Sequence, residues 1–455
     1  MKNFKSDHSF FWFQHPAVLI GLSFLLGIST ALFSFSLWIL IAWSCYLIFL
    51  NKWAALFTLP LSFLYASLLY TTPQSSGPFS ISSVHLHKTP FAHCLQYRGH
   101  LSGIPCTIIF PAETRPPATC DYYVTGTLIQ RGPYDYQLKP KTWEPIPYTF
   151  SLAEIRFKAK SYFRTFLETH LKRPRTADLL ISLATGEVND RQLRYEFGRL
   201  GLQHLLAISG FHFGILIAFL TFFRMKWILM ILLMTAYYLF IGDSPAVQRA
   251  WIIASLFLIT KILHRPTSPI NLLGAALLIE LIWNPLVAAN LGFQLSFGCC
   301  FGILLLHKPI EQGLQKLFPM QSPLSLLTLT ARSLRSAISL TLAVNLTLLP
   351  LLFYHFGKFP LLGLLYNLFF PFLIAIALFL LLIALLLYPL CPINLFPILD
   401  WYTSQLLDLV TYPPLFFDHS LYIQEIPYQA IPVYLFLLLC ISLKILATCR
   451  QFEYY

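Results

Sequence analysis

The stretch Trp227-Ile-Leu-Met-Ile-Leu-Leu-Met-Thr-Ala-Tyr-Tyr-Leu-Phe-Ile241 contains no charged side chain. Similar runs recur along most of the 455-residue chain. Several reach or approach the roughly 20 apolar residues that cross a ~30 Å hydrocarbon layer. Hydrophobic residues make up 57% of the chain and charged residues 11%, whereas soluble domains carry about 25% charged residues. The sequence therefore predicts a polytopic α-helical membrane protein.

The apolar runs form two helical blocks on either side of a polar segment, 71–174. The positive-inside rule places Lys2, Lys5 and Lys52 in the cytoplasm. Because three spans precede the polar segment, we expect this segment outside the inner membrane, and Lys and Arg in every second later loop agree with that. The predicted spans are 16–33, 35–50 and 53–70 in an N-terminal block, 1–70, and then 203–222, 227–241, 247–263, 270–283, 289–306, 337–353 and 431–447.

The segment 360–387 has both ends predicted outside, so it must leave and re-enter the same face of the membrane. Pro371 is where a broken helix could turn, and the sequence therefore predicts a re-entrant or short hairpin segment. Both termini then lie in the cytoplasm of a bacterial cell. The loop after this segment carries acids with no nearby Lys or Arg, which fits an outer location: Asp400, Asp408, Asp418 and Glu425.

The first part of the polar segment, 71–150, has the pattern of short strands. Cys106-Thr-Ile-Ile-Phe110 and Tyr122-Tyr-Val-Thr-Gly-Thr-Leu-Ile129 are rich in β-branched and aromatic residues and lie between Pro and Gly turns. A small β barrel or sandwich is predicted. In an oxidising compartment two of its three cysteines could pair, but the odd number leaves the partners open: Cys94, Cys106 and Cys120.

The next predicted domain, 151–200, opens in the second part of the polar segment and is typical of basic amphipathic helices. Ser151-Leu-Ala-Glu154 has the pattern of a capping box, and apolar residues follow it at helical spacing. Such a helix could lie in the membrane interface and contact anionic lipid headgroups, or its cations could meet a polyanion that passes above it. The cations concerned are Arg156, Lys158, Lys160 and Arg164.

Polar residues are densest in Gly201-Leu-Gln-His-Leu-Leu-Ala-Ile-Ser-Gly-Phe-His-Phe-Gly214, within the second apolar block. Polar groups inside a membrane are costly, so each is a functional candidate. If the stretch is helical, Ser209 and His212 share one face and His204 lies on a neighbouring face. The three side chains could then line one polar seam.

Two glycines of this stretch, Gly210 and Gly214, form a Gly-x-x-x-Gly pattern that lets a helix or a ligand approach the backbone. Further polar residues fall in the outer half of other predicted spans. Together they suggest a vestibule that opens outward, and hydrogen bonding between packed helices is the alternative. These further candidates are Arg249, Gln294, Ser296 and Asn367.

Hydrolytic, metal and nucleotide chemistry find little support in the sequence. A nucleophilic Ser209 activated by His212 would need an acidic partner, and none lies nearby in sequence. His85 and His87 form a His-x-His pair without a further ligand at suitable spacing. No Gly-x-x-x-x-Gly-Lys loop is present. We therefore predict no catalytic site, metal or cofactor, and an energy source in a partner or a gradient.

At these positions the chain resembles the ComEC family, the inner-membrane DNA channel of natural transformation. The resemblance covers about 176–371 and makes 201–455 a competence-type transmembrane channel domain. It rests on Gly201-Leu-Gln-His-Leu-Leu-Ala-Ile-Ser-Gly210 with His212, Ala246-Val-Gln-Arg-Ala250, Asn284-Pro285, Gly292-Phe-Gln-Leu-Ser-Phe297, Pro350-Leu-Leu-Phe-Tyr-His-Phe-Gly357, and Asn367 before Pro371.

The resemblance implies that 71–150 is an OB-like domain, although this part is only loosely similar. Longer family members carry a C-terminal metallo-β-lactamase-like domain, whereas this sequence ends at Tyr455 and lacks a His-x-His-x-Asp-His motif. We therefore expect a short form of the family, with strand degradation assigned to another protein. The expected partners are single-stranded DNA, membrane lipids, a separate DNA receptor, a nuclease and a cytoplasmic motor, and an oligomer is possible.

The hypothesis drawn from the sequence is a channel for single-stranded DNA, with the basic outer helix and Arg249 attracting phosphates and the face of Gly210 and Gly214 lining the path. Charge attraction of this kind would be independent of base sequence and sensitive to salt. Two other classes stay open, because a polar seam does not identify its cargo. They are a transporter of another polar or lipid-linked substrate, and a membrane scaffold that transports nothing.

Overall fold

A computed structural model gives the structure of residues 11–33, 37–69, 74–88, 93–111, 115–132, 134–265, 267–317, 326–390, 394–413, 420–422, 427 and 429–453. Four residues of the topology argument lie outside this set: Lys2, Lys5, Asp418 and Glu425. The side chain of His87 also lies outside it.

The structure consists of helices with one group of five strands near the N-terminus. The strands of that group are β1 (Ser76–Lys88), β2 (His93–Leu101), β3 (Ile104–Pro111), β4 (Tyr122–Gly132) and β5 (Asp135–Pro145), and two short strands, β6 (Lys358–Pro360) and β7 (Ser420–Tyr422), pair farther along. The helices are α1 (Pro16–Leu32), α2 (Leu37–Phe49), α3 (Trp53–Leu69), α4 (Ala153–His170), α5 (Pro174–Thr185), α6 (Arg191–Arg199), α7 (Gly210–Phe222), α8 (Trp227–Ile241), α9 (Pro245–Ile262), α10 (Pro269–Trp283), α11 (Leu291–Leu317), α12 (Leu326–Phe356), α13 (Leu362–Tyr366), α14 (Phe370–Leu387), α15 (Phe396–Thr411) and α16 (Ala430–Glu453).

Within the described residues, four helices are long and apolar enough to cross a membrane, namely α9, α11, most of α12, and α14. Seven further apolar helices have 10 to 17 residues, and α8 coincides with the predicted span 227–241. The prediction of a polytopic helical membrane protein is confirmed. The helices at the predicted spans 289–306 and 337–353, α11 and α12, are longer than expected, because the flanking polar residues continue them.

The chain divides into two compact units that each combine distant segments. The first unit comprises Met1–Ser67, His264–Phe370 and Phe417–Tyr455, and the second comprises Leu68–Leu263 and Pro371–Phe416. The predicted domains are consecutive stretches of the chain, whereas each of the two units is built from stretches that are not consecutive. Each unit is described separately below.

In the first unit, α1 and α10 cross at very short distance. A Cβ atom on Gly274 would lie 2.4 Å from the backbone nitrogen of Val18, so only glycine fits there. The side-chain amide of Asn271 also donates to the carbonyl of Gln14 at 2.8 Å. The N-terminal helices therefore pack on α10, which lies far from them in sequence.

The second unit begins with a closed barrel whose strand order is β1-β2-β3-β5-β4. Neighbouring strands are antiparallel except β3 and β5, which are parallel. Alternate residues such as Val84, Tyr97, Ile108 and Leu138 fill the interior. This is the five-stranded arrangement of an OB fold, and the predicted OB-like domain is confirmed.

The cysteines of the barrel are free thiols. Cys94, Cys106 and Cys120 form no disulfide in the structure. Cys106 points into the barrel, where burial raises the pKa of its thiol to about 11. This thiol therefore stays protonated and packs as a small apolar side chain.

Helix α4 packs on strand β1, but its start differs from the predicted capping box. The helix begins at Ala153, and the hydroxyl of Ser151 donates to the carbonyl of Ile81 at 2.8 Å. The carboxylate of Glu154 instead accepts two hydrogen bonds from Arg115, at 2.9 and 3.1 Å. The Ser151 hydroxyl still accepts the N–H of Ala153 at 3.2 Å, but Glu154, the last residue of the predicted box, is bound by a partner distant in sequence.

The predicted hairpin at Pro371 is wrong. Pro371 lies in the first turn of α14, where its missing N–H needs no acceptor, and α14 continues without interruption for 18 residues. The chain breaks earlier, between the five-residue helix α13 and α14.

The end of α14 lies beside the end of α4, because the imidazole Nε2 of His170 is 2.9 Å from the hydroxyl of Tyr388. Helix α15 then follows, in a stretch that the sequence analysis treated as a loop. It packs on α5 through a hydrogen bond from Thr176 to the buried carboxylate of Asp400.

Candidate functional site

The polar stretch 201–214 is not one helix, contrary to the assumption made from its sequence. Helix α6 ends at Arg199, and Gly201 follows with φ of +70°, a left-handed conformation that favours glycine. A 3-10 turn covers Gln203–Leu205 and exposes Gln203 and His204. His204 is therefore on the surface of a turn before α7, and it does not share a helix with Ser209 and His212.

Helix α7 starts at Gly210, and Ser209 and His212 meet at its first turn. The backbone N–H of Ser209 donates to Nδ1 of His212 at 3.2 Å, and the serine hydroxyl oxygen is 3.5 Å from the same atom. Because Nδ1 accepts, a neutral His212 carries its proton on Nε2. That buried Nε2 has no hydrogen-bond partner among the described residues, so it is a donor that a ligand could use.

Arg249 lies next to this helix start. It is on α9, only 5% exposed, and a Cβ atom on Gly210 would be 3.7 Å from its terminal nitrogen. Ser244 begins α9 by accepting the N–H of Val247, and Pro245 occupies the first turn. The helix start fixes the position from which Arg249 reaches Gly210.

The glycine pair of α7 faces open space on one side. No described atom lies within 4 Å of the position that a Cβ on Gly214 would take, and Gly214 is exposed. Within the described residues, therefore, no second helix packs closely on Gly214. The pattern leaves the backbone approachable, as a ligand path requires.

The other three candidates, Gln294, Ser296 and Asn367, belong to the first unit. The amide of Gln294 donates to the carbonyl of Ala288 at 2.9 Å, which ties α11 to the preceding turn. Ser296 is half-buried two residues later, and Asn367 follows α13. The side-chain oxygens of Gln294 and Asn367 are buried without a hydrogen-bond partner in the described part of the chain.

The basic helix α4 meets a carboxylate that the sequence analysis missed. Glu187 follows Gly186, whose φ of +74° ends α5. Its carboxylate is 3.2 Å from the amine of Lys160, 3.3 Å from the imidazole of His85 and 3.9 Å from the guanidinium of Arg164. Burial alone would raise the pKa of Glu187, but His85 and Lys160 outweigh burial and hold it at about 2.

The remaining predicted cations of α4 have different surroundings. Arg156 donates to the carbonyls of Ser82 and Leu239, at 2.8 and 2.7 Å, and so joins β1 to the end of α8. Lys158 is 73% exposed and lies 3.9 Å from Glu154. Within the predicted set of four, Lys158 therefore offers its charge most openly to a lipid headgroup or polyanion.

Comparison with known proteins identifies the family. The model of the competence protein family matches residues 183–448. ComE operon protein 3 of Bacillus subtilis (strain 168) is 26% identical over 231 residues, which is 48% of this chain but 27% of that protein. No solved structure matches the chain. Since the family match spans more than half of the sequence and includes His204, the start of α7 and Arg249, the chain belongs to the competence protein family, as its resemblance to the ComEC family predicts.

Proposed function

We propose that this protein conducts single-stranded DNA across the bacterial inner membrane during natural transformation. Membership of the competence protein family and the apolar helices support the proposal. The net charge of +12 suits a polyanionic cargo. DNA capture and the motor are assigned to separate partner proteins.

The observation that carries the proposal is the position of Arg249. Its guanidinium keeps its charge at physiological pH and lies beside Gly210, at the start of α7. The first N–H groups of a helix lack intrahelical acceptors and favour a negative charge. A phosphate at Gly210 would meet both, and neither contact depends on the base that the phosphate carries.

The hydrogen-bonding residues around this point are proposed to contact the passing strand. His204 is exposed on the 3-10 turn, and His212 offers its Nε2 proton. Such contacts hold sugar and phosphate without reading the sequence. Ser209 and Gly214 are the other path residues proposed here, and Gln294, Ser296 and Asn367 are proposed for the part of the path within the first unit.

An uptake assay tests the proposal. Cells that lack the gene should fail to bring labelled DNA into the cytoplasm, while DNA capture at the surface continues. Arg249→Glu should abolish internalisation, since it places a negative charge where phosphates pass, and Arg249→Lys should retain part of it. Lys261→Glu, an exposed cation of the same helix, is the matched control and should have little effect. Normal internalisation by Arg249→Glu would overturn the proposal.

We further propose that the protein spans the membrane many times, with the barrel outside and the N-terminus in the cytoplasm. Alternating Lys and Arg in the sequence supports this. In a cysteine-free background, Tyr148→Cys beside the barrel should react with an impermeant maleimide in spheroplasts, whereas Lys226→Cys should react only after lysis. The reverse pattern would contradict the proposed orientation.

A further inference from the structure

We infer that the exposed face of α6, with the 3-10 turn after it, is a contact track for single-stranded DNA on its way to Arg249. The inference rests on the proposed function and adds residues to it. The track consists of Arg191, Arg194, Tyr195, Gln203 and His204.

The first observation is the two-sided character of α6. Arg191, Arg194 and Tyr195 share one face, at positions i, i+3 and i+4, and all three are exposed. Leu193 and Phe197 form the buried opposite face. Packing explains the buried face, but it leaves Tyr195, 69% exposed, with its ring in solvent next to two arginines.

The second observation is how the nearby acids are used. The carboxylate of Glu196 is buried and accepts hydrogen bonds from Arg175, Gln192 and Thr411. Asp190 caps the helix by accepting the N–H of Gln192. Arg194 donates to the carbonyl of Val188, a neutral group, at 2.9 Å. The positive charge of Arg194 is therefore not cancelled by that bond.

The barrel adds a further cation near this face. Arg98 lies on β2 and is paired in register with Ser83. Burial lowers the pKa of Arg98, the carboxylate of Asp135 raises it, and the positive charge of Arg194 lowers it again. Two like charges that influence each other in this way favour an anion between or above them.

The third observation is continuity with the start of α7. A Cβ atom on Gly198 would lie 3.7 Å from the side-chain oxygen of Gln203, so the end of α6 adjoins the 3-10 turn. Gln203 and His204 are exposed there, and the chain runs from them to Gly210 beside Arg249. The exposed polar side chains of α6 and of the 3-10 turn therefore adjoin, and the chain continues from the turn to the proposed phosphate contact.

An exposed aromatic ring among cations is suited to a single strand. Nucleobases of a single strand can stack on a tyrosine ring while phosphates meet arginines, and this combination tolerates any sequence. Bases inside a duplex are already stacked and offer no free face. A lipid headgroup layer would use the cations but would accept leucine in place of tyrosine.

Binding to the purified full chain in phosphatidylcholine nanodiscs tests the track, with a fluorescein-labelled oligothymidine as the probe. Tyr195→Leu should weaken binding about 10-fold, whereas Tyr195→Phe, which keeps the ring, should stay within about 2-fold. Arg191→Ala combined with Arg194→Ala should reduce the salt dependence of log K by about 0.7 for each lost phosphate contact. Tyr148→Leu, at another exposed tyrosine, is the control and should bind as wild type does.

The outcomes separate the track from the proposed function. If wild type binds and internalises DNA but the variants of α6 bind equally well, the track is overturned and the function stands. If Tyr195→Leu keeps DNA binding and the arginine variants lose only binding to anionic phosphatidylglycerol vesicles, the face contacts membrane and the track is again overturned. If a deletion strain still internalises DNA, the proposed function itself fails.

Discussion

Helices α4 and α6 both carry several cations, yet the two helices use them differently. In α4 the amine of Lys160 is buried against Glu187, and Arg156 donates to two backbone carbonyls. In α6 Arg191 and Arg194 lie on an exposed face. The cations of α4 thus mainly hold the second unit together, whereas Arg194 of α6 donates to the neutral carbonyl of Val188.

The difference comes from where the acids lie. Glu187 reaches Lys160 from a turn that follows α5, and Gly186 helps to place it, because its left-handed backbone ends the helix there. The acid of α6, Glu196, instead turns inward to Arg175 and Thr411. A count of basic residues on a helix therefore does not show whether the helix binds an anion.

The largest expected effect on stability comes from removing the carboxylate of Glu187, which pairs with Lys160 and Arg164 of α4. Glu187→Gln leaves the buried amine of Lys160 without its closest charged partner, and we expect a loss of about 4 kcal/mol in the free energy of unfolding. Unfolding of the full chain in detergent measures it, with Glu168→Gln, an exposed acid of α4, as the control. Combining Glu187→Gln with Lys160→Met should recover most of the loss. A double variant as unstable as the single one would contradict the pairing.

The effect of pH on the stabilisation by Glu187 and Lys160 should be nearly as large as the effect of Glu187→Gln. The pKa of Glu187 is about 2 when folded and 4.5 ordinarily, so its contribution is full above about pH 4.5 and is lost as the pH falls towards 2. The shift corresponds to about 3 kcal/mol. The difference in unfolding free energy between wild type and Glu187→Gln should shrink over this range. A constant difference would show that the carboxylate charge is not its source.

The fold was largely predictable because membrane spans and strands are local patterns. Residues 227–241 read as a span and form α8, and Cys106 to Phe110 read as a strand and lie in β3. Pro371 was misleading because proline both breaks helices and begins them, and the sequence around it does not separate the two roles. The first unit joins segments that are distant in sequence, through close helix crossings such as that of α1 and α10 at Val18 and Gly274. The sequence of one segment alone does not reveal such a crossing.

The candidate site was predictable in residue type but not in geometry. Arg249 stood out as a cation in an apolar run, yet its approach to Gly210 depends on how α9 packs beside α7. Glu187 has no local signal except its position after Gly186. Tyr195 gave none, since a tyrosine within a helical pattern is usually part of a core, and only its exposure shows otherwise.

A smaller effect is expected at Arg156, which uses carbonyls in place of an acid. Arg156→Lys keeps the charge but loses the fork that reaches Ser82 and Leu239 together, and we expect about 2 kcal/mol less stability. Hydrogen exchange should rise first in β1 and at the end of α8, because these are the two elements that Arg156 joins. Uniformly raised exchange across the chain would argue against this local role.

The smallest effect of the series is expected at Lys158, which is 73% exposed and lies 3.9 Å from Glu154. Exposed pairs at i, i+4 contribute about 0.3–0.5 kcal/mol, and Glu154 keeps its two bonds from Arg115 in any case. Lys158→Ala should therefore leave the unfolding free energy nearly unchanged. If the exposed cations of α4 act only on lipid, the same variant should weaken binding of the protein to anionic vesicles while leaving oligothymidine binding intact. A clear loss of oligothymidine binding would instead show that α4 also contacts single-stranded DNA. Lys158 would then bind the strand as we propose that the cations of α6 do.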